Sequence, residues 1–553
     1  MQTLRPILIP KARILKTVWR TAVLLASVGT ARASAAAALT CSFSPAGLAR
    51  LTYNGVNLLS DGALQIQSVK MTDASGHSTD GSVSPLTTTF TPTADRIRET
   101  FTWGVVTCKY AVAGSHMALT IAVTNNSSST LQQITLQALS VKFPSAPKTW
   151  VPDYVYIASN TGDPSIVTAD YGSGELAVCN DDILGGPLLV GFPGRHDLVG
   201  PRPIVISTTK GWVLSPYLDP YINRPIAPGK TDIYHISLRF GPSGSTEKTL
   251  APDLLARFAR AYPSTLHWPD HRAIAEIHLA ASETNLHSKT NPRGWFSDPM
   301  GVDITTPSGR AAFKTRVLKF ADDSITEMKT DKAQGMIVWD IEGEELPQAT
   351  TYIGDPRLIS RLDPEMDTLA DAFFKKFREA GFAVGECLRP QILMPVPGGT
   401  YEQKELDSNQ AIIDNLVAKI RYANTRFGCT LFYVDSNGDP NVPYDPAIFQ
   451  GVMDKVTALG IKCLIMPEHK NARYYACTAP YCELRLGHTD VPSLVREIYP
   501  KAFTCISIPD GPVEDNRKAL IDGMKAGNIL LFRGWWPDPY NAKVRDLYQS
   551  ASK

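Results

Sequence analysis

One unit recurs through the second half of the chain: an amphipathic stretch, a glycine, a short apolar run, and then a polar or acidic cluster. Met366 to Ala380 carries Leu369, Phe373 and Phe377 at i, i+4 and i+8; Gly381 follows, and Ala383 to Leu388 reads AVGECL. Ser408 is placed as the N-cap of a helix bearing Ile412, Leu416 and Ile420. Gly428 closes that helix, and Thr430 to Val434 reads TLFYV. Asp445-Pro446 opens a stretch with Phe449, Met453 and Val456, ended by Gly460 and followed by IKCLIM. Two further cycles run from Leu494 to Ile508 and from Asn516 to Phe532. Caps and glycines fall where helix termini need them. Short, continuously apolar strands alternating with helices predict a parallel sheet buried on both faces. Two earlier runs, Ala273 to Leu279 and Met336 to Trp339, extend the series, and a sixth strand is placed near Tyr475 to Thr478. About 280 residues suit a closed (β/α)₈ TIM-type barrel. No GxGxxG or P-loop follows any strand, which disfavours an open doubly wound sheet.

The first half has a different period. Leu119, Ile121 and Val123 alternate with polar or small residues. A polar turn follows at 125–129, and Ile134, Leu136 and Ala138 alternate again. Tyr234, Ile236, Leu238 and Phe240 repeat the theme. Alternation of this kind gives strands with one buried face, and many such strands predict an all-β antiparallel sandwich. A chain of 553 residues is too long for one core. The expected organisation is a signal peptide over 1–33, a sandwich over 39–245, a helical connector over 246–269 and the barrel over 270–553.

The leader assignment rests on Arg5, Lys11, Arg13, Lys16 and Arg20, then the apolar run Thr21 to Val28, then Ala31-Arg32-Ala33. A basic start, a short apolar stretch and a small-x-small site are the pattern of a cleaved export signal. The apolar run is far short of the roughly 20 residues that cross a bilayer. A secreted or periplasmic protein with no membrane span is therefore expected. Fifty-five basic residues against 54 acidic ones create no field for nucleic acid. The nine cysteines include no CxxC, so structural zinc is disfavoured; Cys41 with Cys108 is a possible disulfide, and Cys387, Cys429, Cys463 and Cys505 read as buried thiols.

Chemistry in a (β/α)₈ barrel belongs at the C-terminal ends of its strands, whose loops share one mouth. Strand two ends in Asp340 and Glu342, strand three in Arg389, and strand four in Asp435, Ser436, Asn437 and Asp439. Strand five ends in Glu468 and His469, strand seven in Asp510, and strand eight in Arg533, Trp535 and Trp536. Tyr474, Tyr481 and Glu483 lie after strand five. So much acid at one mouth is costly unless paired or used. Paired carboxylates beside aromatic faces suit cleavage of an O-glycosidic bond, where one group protonates the leaving oxygen and the other attacks the anomeric carbon or activates water.

These strand ends resemble those of retaining glycoside hydrolases of the α-amylase, α-glucosidase and α-galactosidase kind. The resemblance implies an aspartate nucleophile at the end of strand four, matched by Asp435 in LFYVDSNGD. The α-amylase type implies a glutamate acid/base on strand five and an aspartate on strand seven, matched by Glu468 and Asp510. The α-galactosidase type implies an acid/base on strand six, where Glu483 is the nearest carboxylate, and an N-terminal β-sandwich. The histidine motifs of α-amylases are missing, so a divergent family is expected. Asp435 is the expected nucleophile and Glu468 the expected general acid/base. Asp340, Glu342, Arg389, Asn437, Tyr474, Tyr481, Asp510, Arg533, Trp535 and Trp536 are expected to line the substrate site. The substrate expected is an oligosaccharide or polysaccharide, with no cofactor. Nucleophilic Ser or Cys catalysis is disfavoured, since no GxSxG appears, and two further rival readings stand beside the assignment. A metal-dependent hydrolase could use the D-x-N-x-D spacing of Asp435, Asn437 and Asp439, although Pro446 stands where a calcium loop needs glutamate. A non-catalytic carbohydrate-binding protein is the other, since a barrel by itself proves no chemistry.

Overall fold

The computed structural model describes residues 39–552 except 45–46, 93–94, 148, 152–155, 160–165, 186–187, 193–199, 209–223, 282, 344–351, 398–399, 440–441 and 536–537. The expected leader (1–33) and Trp536 lie outside the described residues.

The N-terminal part is antiparallel β structure. Among the described residues a sheet of eight strands and a sheet of seven enclose a core that includes Leu119, Ile121, Val123, Ile134, Leu136, Ala138, Tyr234, Ile236 and Leu238. The alternation read from the sequence is the buried face. His116–Asn125 pairs with Thr231–Gly241 so that Leu119 stands opposite Ile236 and Ile121 opposite Tyr234. Cys41 and Cys108 are both free thiols, so the possible disulfide between them is not formed. The Cys41 Sγ lies 3.8 Å from the Met117 sulfur instead.

Two helices, Glu247–Leu250 and Pro252–Ala261, follow the last sandwich strand. Leu254, Leu255 and Phe258 bury the apolar face of the second helix. Their cluster joins Ile166, Ala177 and Cys179 of the sandwich to Tyr475, Val495 and Ile498 of the C-terminal part.

The C-terminal part is an eight-stranded parallel barrel. Its strands in chain order are one (Ile274–Ile277), two (Gly335–Val338), three (Ala383–Leu388), four (Leu431–Val434), five (Leu464–Pro467), six (Tyr481–Glu483), seven (Cys505–Ser507) and eight (Ile529–Arg533). Strand one pairs with both two and eight. The spatial order runs 5-4-3-2-1-8-7-6. Strands five and six form no ladder with each other. The ring is bridged there by the Ala479 N–H, which donates to the Ile465 carbonyl at 3.0 Å. The expected sixth strand was misplaced: Ala472–Ala476 is a turn of 3₁₀ helix, and the strand is Tyr481–Glu483. Tyr475 and Ala476 are apolar because they face the joint with the sandwich, not because they belong to the sheet.

The caps read from sequence form as placed. The Ser408 hydroxyl accepts from the Ala411 N–H, Gly428 ends that helix at φ 75°, and Asp445 accepts from the Ala447 N–H. Alternate strand residues enter different cores. Ile274, Ile337, Trp339, Cys387, Leu431, Tyr433, Leu464, Met466, Cys505, Ile529 and Leu531 fill the barrel interior. Met336, Val338, Val384, Leu388, Phe432, Val434, Ile465 and Ile506 pack outward against the helices.

Gly385 shows how tightly strands three and four approach. A Cβ there would lie 2.1 Å from the Leu431 carbonyl oxygen. That oxygen belongs to a paired parallel strand and cannot move alone. Gly385→Ala is expected to destabilise the protein by roughly 2–3 kcal/mol through overpacking, read as a lower denaturant midpoint with an unchanged slope.

Candidate active site

Because strand residues alternate, parity decides which strand-end groups look into the mouth. Asp435 follows Leu431 and Tyr433, and Glu468 follows Leu464 and Met466; both extend the inward-facing series. Strands four and five are in register, Val434 opposite Pro467, so the next residues along, Asp435 and Glu468, are neighbours. The Asp435 carboxylate is gripped by the Arg389 guanidinium. It also accepts from the Tyr433 and Ser436 hydroxyls, each at 3.3 Å. The Glu468 carboxylate accepts from the Ser436 N–H at 2.7 Å and lies 3.6 Å from the His469 Nε2. One peptide therefore links the two acids. Burial, and next the negative charge of Asp435, hold the Glu468 carboxyl above the ordinary glutamate range. Its side chain is 29% exposed against 9% for Asp435, so Glu468 is the more open of the two.

Other groups complete the mouth. Glu276, two residues before His278 on strand one, accepts from the Ser507 hydroxyl at 3.2 Å, and burial pushes its carboxyl up to about 7. Glu483 at the end of strand six pairs with Arg485. Arg533 pairs with Asp510 and, at 3.3 Å, with Asp538. The Asp510 side chain is 59% exposed, which puts it on the rim. The Tyr481 ring meets Tyr433 at 4.9 Å, and Trp339 meets Tyr433 at 5.1 Å. His278 stands among Trp339 at 5.3 Å, Trp535 at 5.2 Å and Tyr352 at 6.1 Å. Glu276, Tyr433 and Tyr352 are site residues that the sequence pattern does not single out. The available signal for the first two was parity: a charged residue inside AIAEIHL, and a tyrosine two positions before Asp435.

Four expected site residues sit elsewhere. Asp340 shares the outward parity of Met336 and Val338 and is fully buried; its carboxylate accepts from the Leu279 N–H at 2.8 and 3.0 Å and the Ala280 N–H at 2.8 Å. It ties strand two to the end of strand one. Glu342 is 1% exposed and lies near Asp355 and Lys419 in the helix layer. The Asn437 amide closes on the His469 backbone, accepting from its N–H at 2.8 Å and donating to its carbonyl at 3.2 Å. Tyr474 is fully buried against Phe449 in the outer core. Each is polar or aromatic at a strand end for a structural reason: loop ends need partners for their backbone groups, and helices need large apolar faces. Among the described residues no group of three or more His, Cys, Asp or Glu is arranged to hold a metal ion. No helix among them is long and apolar enough to cross a membrane.

The acids buried in the barrel make a prediction about stability. Burial raises Asp340 to about 7 and Glu342 to about 8, as it raises Glu276. The folded chain thus holds protons that the unfolded chain releases near pH 4, so stability falls as pH rises from about 4 towards 8. The melting temperature is expected to be higher at pH 5 than at pH 8, and Glu342→Gln is expected to narrow that difference. A flat profile between those pH values would exclude this account.

No protein-family model matches the chain. No curated protein matches it either. Among solved structures it is similar to an α-N-acetylgalactosaminidase from Bifidobacterium bifidum, at 11% identity over 92% of this chain and 91% of that one, with a TM-score of 0.48. It is also similar to a GH36 α-galactosidase from Geobacillus stearothermophilus, at 11% identity over 88% and 75% of the two chains, with a TM-score of 0.39. A third is an α-galactosidase from Thermus thermophilus, at 10% identity over 80% and 93%, with a TM-score of 0.37.

Proposed function

We propose that the barrel is a retaining glycoside hydrolase, acting on an oligosaccharide or polysaccharide, with Asp435 as nucleophile and Glu468 as general acid/base. The observation that carries this reading is the difference between two adjoining inward-facing acids. Asp435 is held by Arg389, while Glu468 is kept towards its protonated form by burial and by the charge of Asp435. A carboxyl kept towards its protonated form beside a cation-held carboxylate suits the paired roles of acid and nucleophile.

In the first step a carboxylate oxygen of Asp435 bonds to the anomeric carbon as the bond to the leaving oxygen breaks, and Glu468 gives that oxygen its proton. In the second, the Glu468 carboxylate takes a proton from water, whose oxygen bonds to the same carbon and releases Asp435. Arg389 and the Tyr433 hydroxyl keep the nucleophile's oxygens in place. Glu276, Glu483 and the Asp510–Arg533 pair are suited to sugar hydroxyls, and Tyr481 and Trp535 to the flat faces of the rings. Export through the 1–33 leader is part of the same proposal, and it places the enzyme where external carbohydrate is met.

The test is a screen of the purified protein against aryl α- and β-glycosides, following product configuration by NMR. Release of a sugar with its anomeric configuration retained is the expected result. A product of inverted configuration would rule out Asp435 as a covalent nucleophile.

A further inference from the structure

Behind the mouth, in the layer between sheet and helices, lies a fully buried cation. Lys419 belongs to the helix Asn409–Phe427 and has no solvent exposure. Its ammonium donates to three backbone carbonyls: Arg389 at 2.6 Å, Gln391 at 2.9 Å and Gly354 at 3.0 Å. The Asp355 carboxylate stands 3.6 Å away and is shared with Arg357, which binds both its oxygens. Asn415, one helical turn earlier on the same face, donates to the Pro390 carbonyl at 2.9 Å and the Gln391 carbonyl at 3.2 Å. Two side chains of one helix thus hold the turn 389–391 that ends strand three.

That turn has two arms into the site. The Arg389 side chain grips Asp435. The Gln391 amide donates to the Ser436 carbonyl at 2.8 Å, and the Ser436 N–H is the donor to Glu468. Gly354 fits the same arrangement: it sits at φ 60°, and a Cβ there would come within 2.5 Å of the Arg389 nitrogen. Burying an ammonium is costly, and a methionine of similar length would fill the space without that cost. A lysine that spends two of its three donors on carbonyls of one turn, and the third on the neighbouring Gly354 carbonyl, has a purpose in holding that turn.

We propose that Lys419 is the positioning residue of this active site: its ammonium fixes the 389–391 turn, and through Arg389 and Gln391 it fixes both Asp435 and the Ser436 N–H that holds Glu468. The inference rests on the reading of Asp435 and Glu468 as the reacting pair, but it has a structural readout of its own.

Three variants test it: Lys419→Met, Lys419→Gln, which keeps some donors, and Leu416→Ala, a truncation of an apolar core residue in the same helix that removes no hydrogen-bond donor from the turn. In a crystal structure of Lys419→Met the 389–391 turn is expected to shift and Arg389 to leave Asp435; an unmoved turn with that contact intact overturns the proposal. On an aryl glycoside cleaved by the wild type, Lys419→Met is expected to lower kcat about 100-fold with KM within about threefold, as a misplacement near 1 Å does. Lys419→Gln should fall between it and the wild type, covering the case in which the methionine variant does not fold. Leu416→Ala should lose thermal stability and keep kcat within about threefold. Equal loss of kcat in Lys419→Met and Leu416→Ala also overturns the proposal, since general loosening then explains both. If instead Asp435→Asn keeps full activity, the glycosidase assignment fails, while the structural arm still decides whether Lys419 holds the turn.

Discussion

Replacing Asp435 by asparagine is expected to lower kcat by about 10⁴-fold or more, because the amide cannot form the glycosyl–enzyme bond on which a retaining reaction depends. The protein should stay folded. Asparagine has nearly the same shape, and its carbonyl oxygen can still accept from Arg389, Tyr433 or Ser436, which hold the native carboxylate. A companion variant, Asp435→Gly, opens room for an external nucleophile. With azide and an aryl glycoside it is expected to form a glycosyl azide of inverted configuration, as azide takes the place of the missing carboxylate and aryloxide leaves. Retention of more than a tenth of wild-type kcat by Asp435→Asn would remove it as nucleophile. So would failure of azide to restore turnover in the folded glycine variant.

The second large effect concerns Glu468. In Glu468→Gln the loss should depend on the leaving group: about 10²- to 10⁴-fold for an alkyl or sugar leaving group that needs a proton, and far less for an acidic phenol. The pH profile gives the sharper test. Burial and the Asp435 charge raise the Glu468 carboxyl in the folded protein. Its acid form therefore persists above the ordinary glutamate range, and activity falls as pH rises through the raised value. The glutamine variant should lack that alkaline limb. An alkaline limb that survives in Glu468→Gln, together with an equal loss for good and poor leaving groups, would move the acid role elsewhere. Glu483 on strand six, paired with Arg485, is then the carboxylate to examine.

The sequence was most informative where local rules suffice. Ser408, Gly428 and Asp445 announce helix ends because capping involves residues a few positions apart. It was least informative at strand six and at the strand-two turn. Tyr475 and Ala476 looked like strand because they are apolar, but their apolar partners are Leu254, Leu255 and Phe258, more than 200 positions earlier. Asp340 looked like Asp435, an acid straight after an apolar run. The two differ by a single step of parity, which turns one carboxylate into the mouth and the other onto the N–H groups of Leu279 and Ala280.

Two periods written along the chain, alternation before residue 245 and the helix–glycine–strand cycle after 270, were enough to call for a β-sandwich and a parallel barrel. Hydrogen bonding within an element and burial of one face or both act over a few residues, so their imprint is local. Which acids meet was settled by strand register, by side-chain parity and by the cations that reach each group from distant segments. Those depend on how strands stack around the ring, and no short stretch of sequence carries that information.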